Sequence, residues 1–171
     1  LSFNPNQKYS IFADDNSSIE TVSPEFVSSK KLAIADTSSE MIIVTNPKFR
    51  TEADKYASYK NSIGVKCVVA ETEDIYREFN YGIKSPHAIK EFLRFAYANW
   101  SNPKPKYLFI IGDASWDNRK LMKGSKGVDY VPSYGQPVSD YWYGLLEGDD
   151  WEPELIVGRL SAQETDQVDA Y

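Results

Sequence analysis

The sequence predicts an α/β fold, in which a parallel sheet of about four strands is flanked by helices on both faces. Two patterns carry this prediction: short apolar runs typical of strands buried on both faces, and intervening segments with helical spacing. The order is strand, helix, strand, helix, strand, insertion, strand and helix, which favours parallel pairing with crossover helices. With 171 residues, 42% of them hydrophobic, the chain can form one domain with an ordinary core.

The first part of the predicted domain has two strands joined by a helix. Met41 to Thr45 (MIIVT) is the first strand, and Asn46-Pro47 ends it. A helix is predicted from about Thr51 to Ile63, because Gly64 stands where a left-handed C-terminal cap is wanted. The return strand is then Val65 to Ala70 (VKCVVA).

Two more predicted helices lead to the third strand. A short helix is predicted from Asp74 to Phe79. Ser85 and Pro86 then supply an N-cap and a first-turn proline for a longer helix with apolar residues at helical spacing. The third strand is Tyr107 to Ile111.

An insertion separates this strand from the fourth. The insertion, Ala114 to Pro153, is predicted to carry short aromatic strands such as Tyr141 to Leu146. The fourth strand is Leu155 to Arg159 (LIVGR), and Ser161 with Glu164 forms a capping-box pattern that opens a final helix. Because this helix has run only to Tyr171, we expect the chain to be a piece of a longer polypeptide.

Residues 1–40 differ in composition from the rest of the chain. They are rich in Ser, Asn and Asp and contain one strand-like segment, Tyr9 to Ala13. We expect this region to be the end of a preceding β-rich region followed by a linker, and residues 41–171 to form the α/β unit.

Composition and charge exclude several classes of function. Nineteen basic and twenty-five acidic residues give a net charge of −6, and no basic segment could track a phosphate backbone, so nucleic acid is not expected as a partner. No apolar run approaches the roughly 20 residues that a membrane span requires. The single cysteine excludes an internal disulfide and a multi-cysteine zinc site.

Carboxylates near the end of the third strand are the candidate metal ligands. Asp113 follows Gly112 where open parallel sheets bind ligands, and Asp117 and Asp140 could join it around a hard cation such as calcium. Other acidic residues in the insertion could contribute: Asp129, Glu147, Asp149 and Asp150. The alternative is that the loops are simply solvated, since the spacing fits no EF-hand, and that Asp113 accepts backbone hydrogen bonds from the following loop.

Cys67 and His87 are the only possible thiol and imidazole pair for a cysteine nucleophile. Cys67 lies in an apolar strand, and His87 lies in the first turn of a helix, so we expect neither residue to be catalytic. The sequence also lacks a Gly-x-Ser-x-Gly elbow and a Gly-rich phosphate loop. No catalytic residue is therefore predicted.

An aromatic group in the insertion is a further candidate for binding. Its members are Tyr141, Trp142, Tyr143 and Trp151. They could form a surface for carbohydrate or for a protein partner, although aromatics of this kind also cover a core edge or a domain interface.

Three segments together resemble the gingipain-like cysteine peptidases, family C25, which include the sortase of the type IX secretion system. They are Gly112-Asp113, Ser139 to Gly144 (SDYWYG) and Leu155 to Leu160 (LIVGRL). The likeness extends over most of residues 41–171 and includes Met41 to Thr45, Tyr59-Lys60 ahead of Gly64, and Ala88-Ile89-Lys90.

The resemblance implies a fold, a function and a location. The family's catalytic domain is caspase-like and has two α/β subdomains, of which the first resembles residues 41–171. The catalytic histidine and cysteine of the family belong to the second subdomain, which implies that this chain alone is inactive and supports a downstream catalytic subdomain acting on protein or peptide substrates. Secretion or display at the outer-membrane surface is implied as well, and calcium is bound by members of the family. An interaction or sorting module from a homologue without catalytic residues is the alternative.

Overall fold

The computed structural model describes residues 31–34, 37–115, 117, 121–124 and 128–171. The predicted strand Tyr9 to Ala13 lies outside the described residues, as does most of the predicted linker. The last part of that region packs on the domain: Leu32 is buried, and its N–H donates to the carboxylate of Glu78. Within the described residues no helix is both long enough and apolar enough to cross a membrane.

Four parallel strands form the sheet, as the sequence predicts. They are β1 (Met41–Thr45), β2 (Cys67–Glu71), β3 (Tyr107–Ile111) and β4 (Ile156–Leu160), in the spatial order β2-β1-β3-β4. The pairing is in register along all five residues of each neighbour, with Met41 opposite Cys67 and Tyr107. The order reverses between β1 and β3, which places the topological switch point there.

Helices cover both faces of the sheet, which also agrees with the prediction. They are α1 (Arg50–Ser62), α2 (Thr72–Asn80), α3 (Pro86–Asn99) and α4 (Thr165–Asp169). On one face, α2 and α3 pack against β-strand side chains such as Ile42 and Leu108. On the other face, α1 and α4 cover side chains such as Ile43 and Ile111. The two cores are typical of a sheet buried on both sides.

The second strand begins later than predicted because the end of α1 uses the residues before it. Gly64 has φ +88°, and its N–H donates to Asn61 O at 3.1 Å. The N–H of Val65 donates to Lys60 O at 3.0 Å, which completes a Schellman motif. Val65 is therefore part of the helix cap, and β2 begins at Cys67 instead.

The predicted aromatic strand from Tyr141 to Leu146 is wrong. Residues Tyr141–Gly144 form a 3-10 turn, in which the N–H of Tyr143 donates to Asp140 O at 3.0 Å. A Cβ on Gly144 would lie 2.7 Å from Leu155 O, so the turn depends on glycine to approach β4 closely. The alternation of apolar residues here reflects a turn with one side packed on the core.

The N-cap of the final helix lies three residues later than predicted. Ser161 is not the N-cap; Glu164 is, and a capping box joins Glu164 to Gln167. The intervening segment runs beside the end of β3, where Ala162 O accepts the N–H of Asp113 at 2.9 Å. Pairing with β3 therefore delays the helix.

Candidate functional site at the carboxyl edge of the sheet

The carboxyl edge of the sheet is the place where folds of this kind bind ligands. At its centre, Gly112 follows β3 with φ +129°. A Cβ added there would lie 3.1 Å from Cβ of Tyr130 and 3.4 Å from Cε2 of Phe49. The loop from the insertion is thus packed directly on the end of β3, and glycine is needed for both the backbone angle and the space.

Asp113 is engaged by its own loop and by the segment before α4. Its Oδ1 accepts the N–H of Ala114 at 3.0 Å, and its Oδ2 accepts Nε2 of Gln163 at 2.7 Å. Its backbone oxygen accepts the N–H groups of Tyr130 and Val131 at 3.0 and 3.2 Å. The expectation that this carboxylate accepts a backbone hydrogen bond from the following loop is confirmed. Its bonds link β3, the insertion and the approach to α4.

Arg159 makes more side-chain hydrogen bonds in this region than any of the candidate site residues predicted from the sequence. Its side chain is 9% exposed, and all five of its N–H donors have acceptors. Nε and Nη2 each donate to a carboxylate oxygen of Asp140 at 2.7 Å. The other bonds reach Gly112 O at 2.6 Å, Val131 O at 2.9 Å and Ser133 Oγ at 3.2 Å. One guanidinium therefore attaches the insertion to β3 and β4.

The carboxylate of Asp140 is the counter-charge of this arginine. Burial alone would raise the pKa of Asp140, but the hydrogen bonds and charge of Arg159, together with the Ser133 hydroxyl, hold that pKa below its ordinary value. A signal for the pair was present in the sequence. Leu155, Val157 and Arg159 share one face of a strand, and a charge on a buried face requires a partner.

Lys48 lies in the turn after β1 and bonds to side chains and backbone across the topological switch point. Its ammonium donates to Gln163 O at 2.5 Å, to Glu164 Oε2 at 2.9 Å and to the hydroxyl of Tyr130 at 3.0 Å. It also lies 5.1 Å from the centroid of the Tyr130 ring, within cation–π range. These bonds connect the turn after β1 with the segment before α4. The crevice between β1 and β3 is consequently filled by the chain's own side chains.

The three predicted metal ligands each have partners of their own. Both oxygens of Asp140 bind Arg159, while Asp117 accepts the N–H groups of Leu121 and Met122 at 2.9 and 3.1 Å. Among the residues that the structure describes, no three His, Cys, Asp or Glu side chains are grouped so that they could hold a metal ion. The geometry does not fit a shared site with Asp113, because an arginine already occupies Asp140. Calcium binding stays a prediction, which titration calorimetry with Ca²⁺ would test.

Two of the other acidic residues of the insertion, Asp129 and Asp150, also serve local roles. Asp129 accepts the N–H of Ser115 at 3.1 Å and pairs with Lys84 at 2.9 Å. Asp150 accepts the N–H of Glu152 at 2.9 Å. These bonds shape the loops of the insertion.

Cys67 and His87 lie in different environments on different elements. Burial raises the pKa of the Cys67 thiol, which disfavours the thiolate that a nucleophile requires. The ring of His87 is edge-on to Tyr134 and Trp142, with centroid distances of 5.0 and 5.2 Å. The structure gives these two residues no contact with each other in support of a catalytic pair.

The aromatic group is divided between the core and the surface. Tyr143 is fully buried, and its hydroxyl donates to Pro132 O at 2.5 Å. Trp142 stacks on Tyr134 at 3.8 Å, and Lys90 lies 4.0 Å from the centroid of its ring. Trp151, in contrast, is 82% exposed. One half of the group therefore fixes the insertion onto α3, and the other half faces outward.

Comparison with known proteins identifies what this arrangement is similar to. The sequence model of peptidase family C25 matches residues 34–171. Gingipain R2 of Porphyromonas gingivalis (strain ATCC BAA-308 / W83) is 24% identical over 128 residues, which are 75% of this chain and 15% of the relative. Gingipain R1 of Porphyromonas gingivalis is also 24% identical over 128 residues, with 75% of this chain and 11% of the relative covered. The chain thus spans a small part of these curated relatives.

Solved structures share the fold. Dimeric latent PorU from Porphyromonas gingivalis superposes with a TM-score of 0.63 at 23% identity, covering 76% of this chain and 14% of that one. The Arg-specific cysteine proteinase gingipain R superposes with a TM-score of 0.59 at 22% identity, covering 77% of this chain and 26% of that one.

Proposed function

The chain belongs to peptidase family C25, and from this membership we propose that it is the non-catalytic N-terminal subdomain of a secreted gingipain-like cysteine endopeptidase. Its role is to pack against a catalytic subdomain of the same polypeptide and to support the cleft. The relatives it matches are much longer than the matched segment, which is consistent with a catalytic region elsewhere in the polypeptide.

The environment of Cys67 and His87 is the observation that carries this proposal. A cysteine peptidase requires a thiolate and a base within hydrogen-bond reach. The thiol here has a raised pKa, and the imidazole is exposed, lying edge-on beside the stacked rings of Tyr134 and Trp142 in the insertion. The carboxyl edge, the other place for chemistry in this fold, is filled by the bonds of Lys48 and Arg159.

The chemistry of the complete enzyme follows from the family. A cysteine thiolate attacks the peptide carbonyl, and a histidine acts as general base and then as general acid. Neither group belongs to this chain in the proposal. The chain contributes rigidity, because misplacing reacting groups by about 1 Å can cost about a hundred-fold in rate.

A peptidase assay tests the proposal. The purified 171-residue chain should not hydrolyse a library of fluorogenic peptides, whereas the full gene product should, with inhibition by iodoacetamide. Cys67→Ala in the full gene product should leave the activity intact, since Cys67 is not the nucleophile. Hydrolysis by the 171-residue chain that disappears in Cys67→Ala would contradict the proposal.

An interaction or sorting module is the second candidate, and the exposed aromatic side chains favour it. Trp151 and Tyr141 are 82% and 43% exposed, and they lie close together, since the Tyr141 hydroxyl donates to Trp151 O. In this case the full gene product would be inactive on all peptides and would retain a protein partner. Release of that partner by Trp151→Ala, with retention by Trp100→Phe in the buried core, would select this candidate over the peptidase.

A further inference from the structure

The outer edge of β4 offers backbone hydrogen-bonding groups without partners in the described part of the chain. The N–H of Ile156 donates to Lys106 O at 2.9 Å, and Leu160 O accepts the N–H of Gly112 at 3.0 Å. Residues 156 and 160 therefore face β3. Because a parallel strand alternates its bonding direction, the N–H and C=O groups of Val157 and Arg159 face outward.

The opposite edge of the sheet is protected at both ends of its strand, in contrast to β4. On β2, the outward N–H of Cys67 donates to the side-chain Oδ1 of Asn61 at 3.0 Å. An ion pair between Arg50 and Glu71, at 3.0 Å, lies at the end of the same strand. Side-chain caps and charges are the usual means by which proteins stop a free edge from pairing. They are present on β2.

On β4 these protective features are replaced by apolar surface. Residues 156–160 (IVGRL) contain no Pro, Lys, Asp or Glu, and the one charge, on Arg159, is turned inward to Asp140. Ile156 is 67% exposed. A hollow of about 300 Å³ runs beside the strand, and its lining residues are Tyr141, Pro153, Leu155, Ile156 and Val157. An edge without an outward-facing charge, beside an apolar hollow, is suited to another strand.

We propose that a β-strand from another part of the same C25 polypeptide pairs with the outer edge of β4 and covers this hollow. The proposal rests on the proposed function, in which this chain supports a catalytic region. The matched relatives have most of their length outside the matched segment: the chain covers 26% of gingipain R and 14% of PorU. Strand addition satisfies the outward groups of Val157 and Arg159 and buries Ile156 in one step.

Hydrogen exchange tests the pairing directly. Deuterium uptake is measured with residue resolution over Leu155 to Ser161, in the full gene product and in the 171-residue chain. We expect the amides of Val157 and Arg159 to exchange at least about a hundred-fold more slowly in the full gene product. The amide of Ile156, bonded to β3, should be slow in both. Fast exchange of Val157 and Arg159 in the full gene product overturns the proposal.

A second copy of the chain is the competing occupant, and dilution separates the two. Protection of Val157 that appears in the 171-residue chain and rises with its concentration would assign the edge to self-association and overturn the proposal. Concentration-independent protection confined to the full gene product supports it.

Adjacent proline variants give a matched second measurement. Val157→Pro removes an outward N–H, a change that edge strands tolerate, and also alters a half-buried side chain that packs on the core, so it should lower the Tm of both chains, and more in the full gene product. Ile156→Pro removes a bond to β3 and should lower both. A loss of Tm on Val157→Pro that is no larger in the full gene product than in the 171-residue chain would overturn the proposal.

The exchange result and the peptidase assay fail independently. Slow exchange of the edge amides in a full gene product that hydrolyses no peptide would leave the paired edge standing and remove the proposed function. Fast exchange of the edge amides in a full gene product that hydrolyses peptides would remove the paired edge and leave the proposed function standing.

Discussion

Replacing Arg159 by Met tests whether one guanidinium holds the insertion on the sheet. The substitution keeps an unbranched side chain of similar length but removes all five donors. It leaves Gly112 O and Val131 O without the bonds of Arg159, and it leaves the Asp140 carboxylate with only the Ser133 hydroxyl as a partner. Removing one partner of a buried ion pair costs about 3–5 kcal/mol. For a chain of this size each kcal/mol lowers Tm by about 2–4 °C, so we expect a loss of about 6–20 °C.

Urea denaturation followed by tryptophan fluorescence measures the free energy of unfolding of each variant. Arg94→Met is the matched control: its side chain is 47% exposed, pairs with Glu91 and donates one bond to Leu146 O, and an exposed pair and a single hydrogen bond each contribute about 0–1.5 kcal/mol. Arg159→Met with Asp140→Leu should be more stable than Arg159→Met alone, because the second change removes the buried unpaired charge. If Arg159→Met costs no more than Arg94→Met, the reasoning is refuted.

The same pair predicts a dependence on pH. The pKa of Asp140 in the folded chain lies below its ordinary value of 3.8. The stabilisation is therefore complete above the unfolded pKa and is lost as the pH falls through the lower folded pKa. In Arg159→Met with Asp140→Leu this acid-dependent part should be missing from the unfolding curve.

Three further predictions concern single residues. Gly112→Ala should destabilise the chain by about 1–3 kcal/mol in urea denaturation, because the new Cβ is both strained and crowded, whereas Gly64→Ala, with nothing within 4 Å, should cost about 1 kcal/mol; equal losses would contradict the packing argument. Burial and the nearby Arg94 lower the pKa of Lys90 to about 8, while the hydrogen bond that Lys55 donates to Asp169 raises the pKa of Lys55, so NMR titration of the side-chain Cε should show Lys90 losing its proton first. The Lys90 contribution to stability should then rise with pH between about 8 and the unfolded value near 10.5, and a Lys90 that titrates with Lys55 would contradict this. Alkylation of Cys67 by iodoacetamide at neutral pH should be much slower in the folded chain than in urea, because burial raises its pKa; equal rates would show that the thiol is reactive.

Local signals in the sequence were sufficient for much of the fold. β3 was predicted to the residue, since an apolar run ends at Gly112. The start of α3 was also predicted to the residue, because the Ser85 side chain accepts the N–H of His87 and Pro86 opens the helix. Both signals act within a few residues of the feature they predict.

The errors arose where distant segments decide the local structure. The 3-10 turn at Tyr141–Gly144 depends on the close approach of Gly144 to the backbone of Leu155. The alternation of apolar residues within the turn does not predict that contact. The late start of α4 depends on Ala162 bonding to Asp113 across the sheet edge. At the candidate site, the role of Asp113 was predictable from its own loop, while the network of Arg159 required knowing which loop would lie over β4.

The bonds of Arg159 also have a consequence for the order in which the chain is made. During synthesis, Val131 and Asp140 leave the ribosome before Arg159. Their oxygen atoms therefore have no bond to the guanidinium until residue 159 has been translated. The guanidinium reaches them only when β4 aligns with β3. A nascent chain stalled before residue 159 would therefore keep the bonds of Val131 to Asp113 but lack the guanidinium that ties residues 131–140 to β3 and β4.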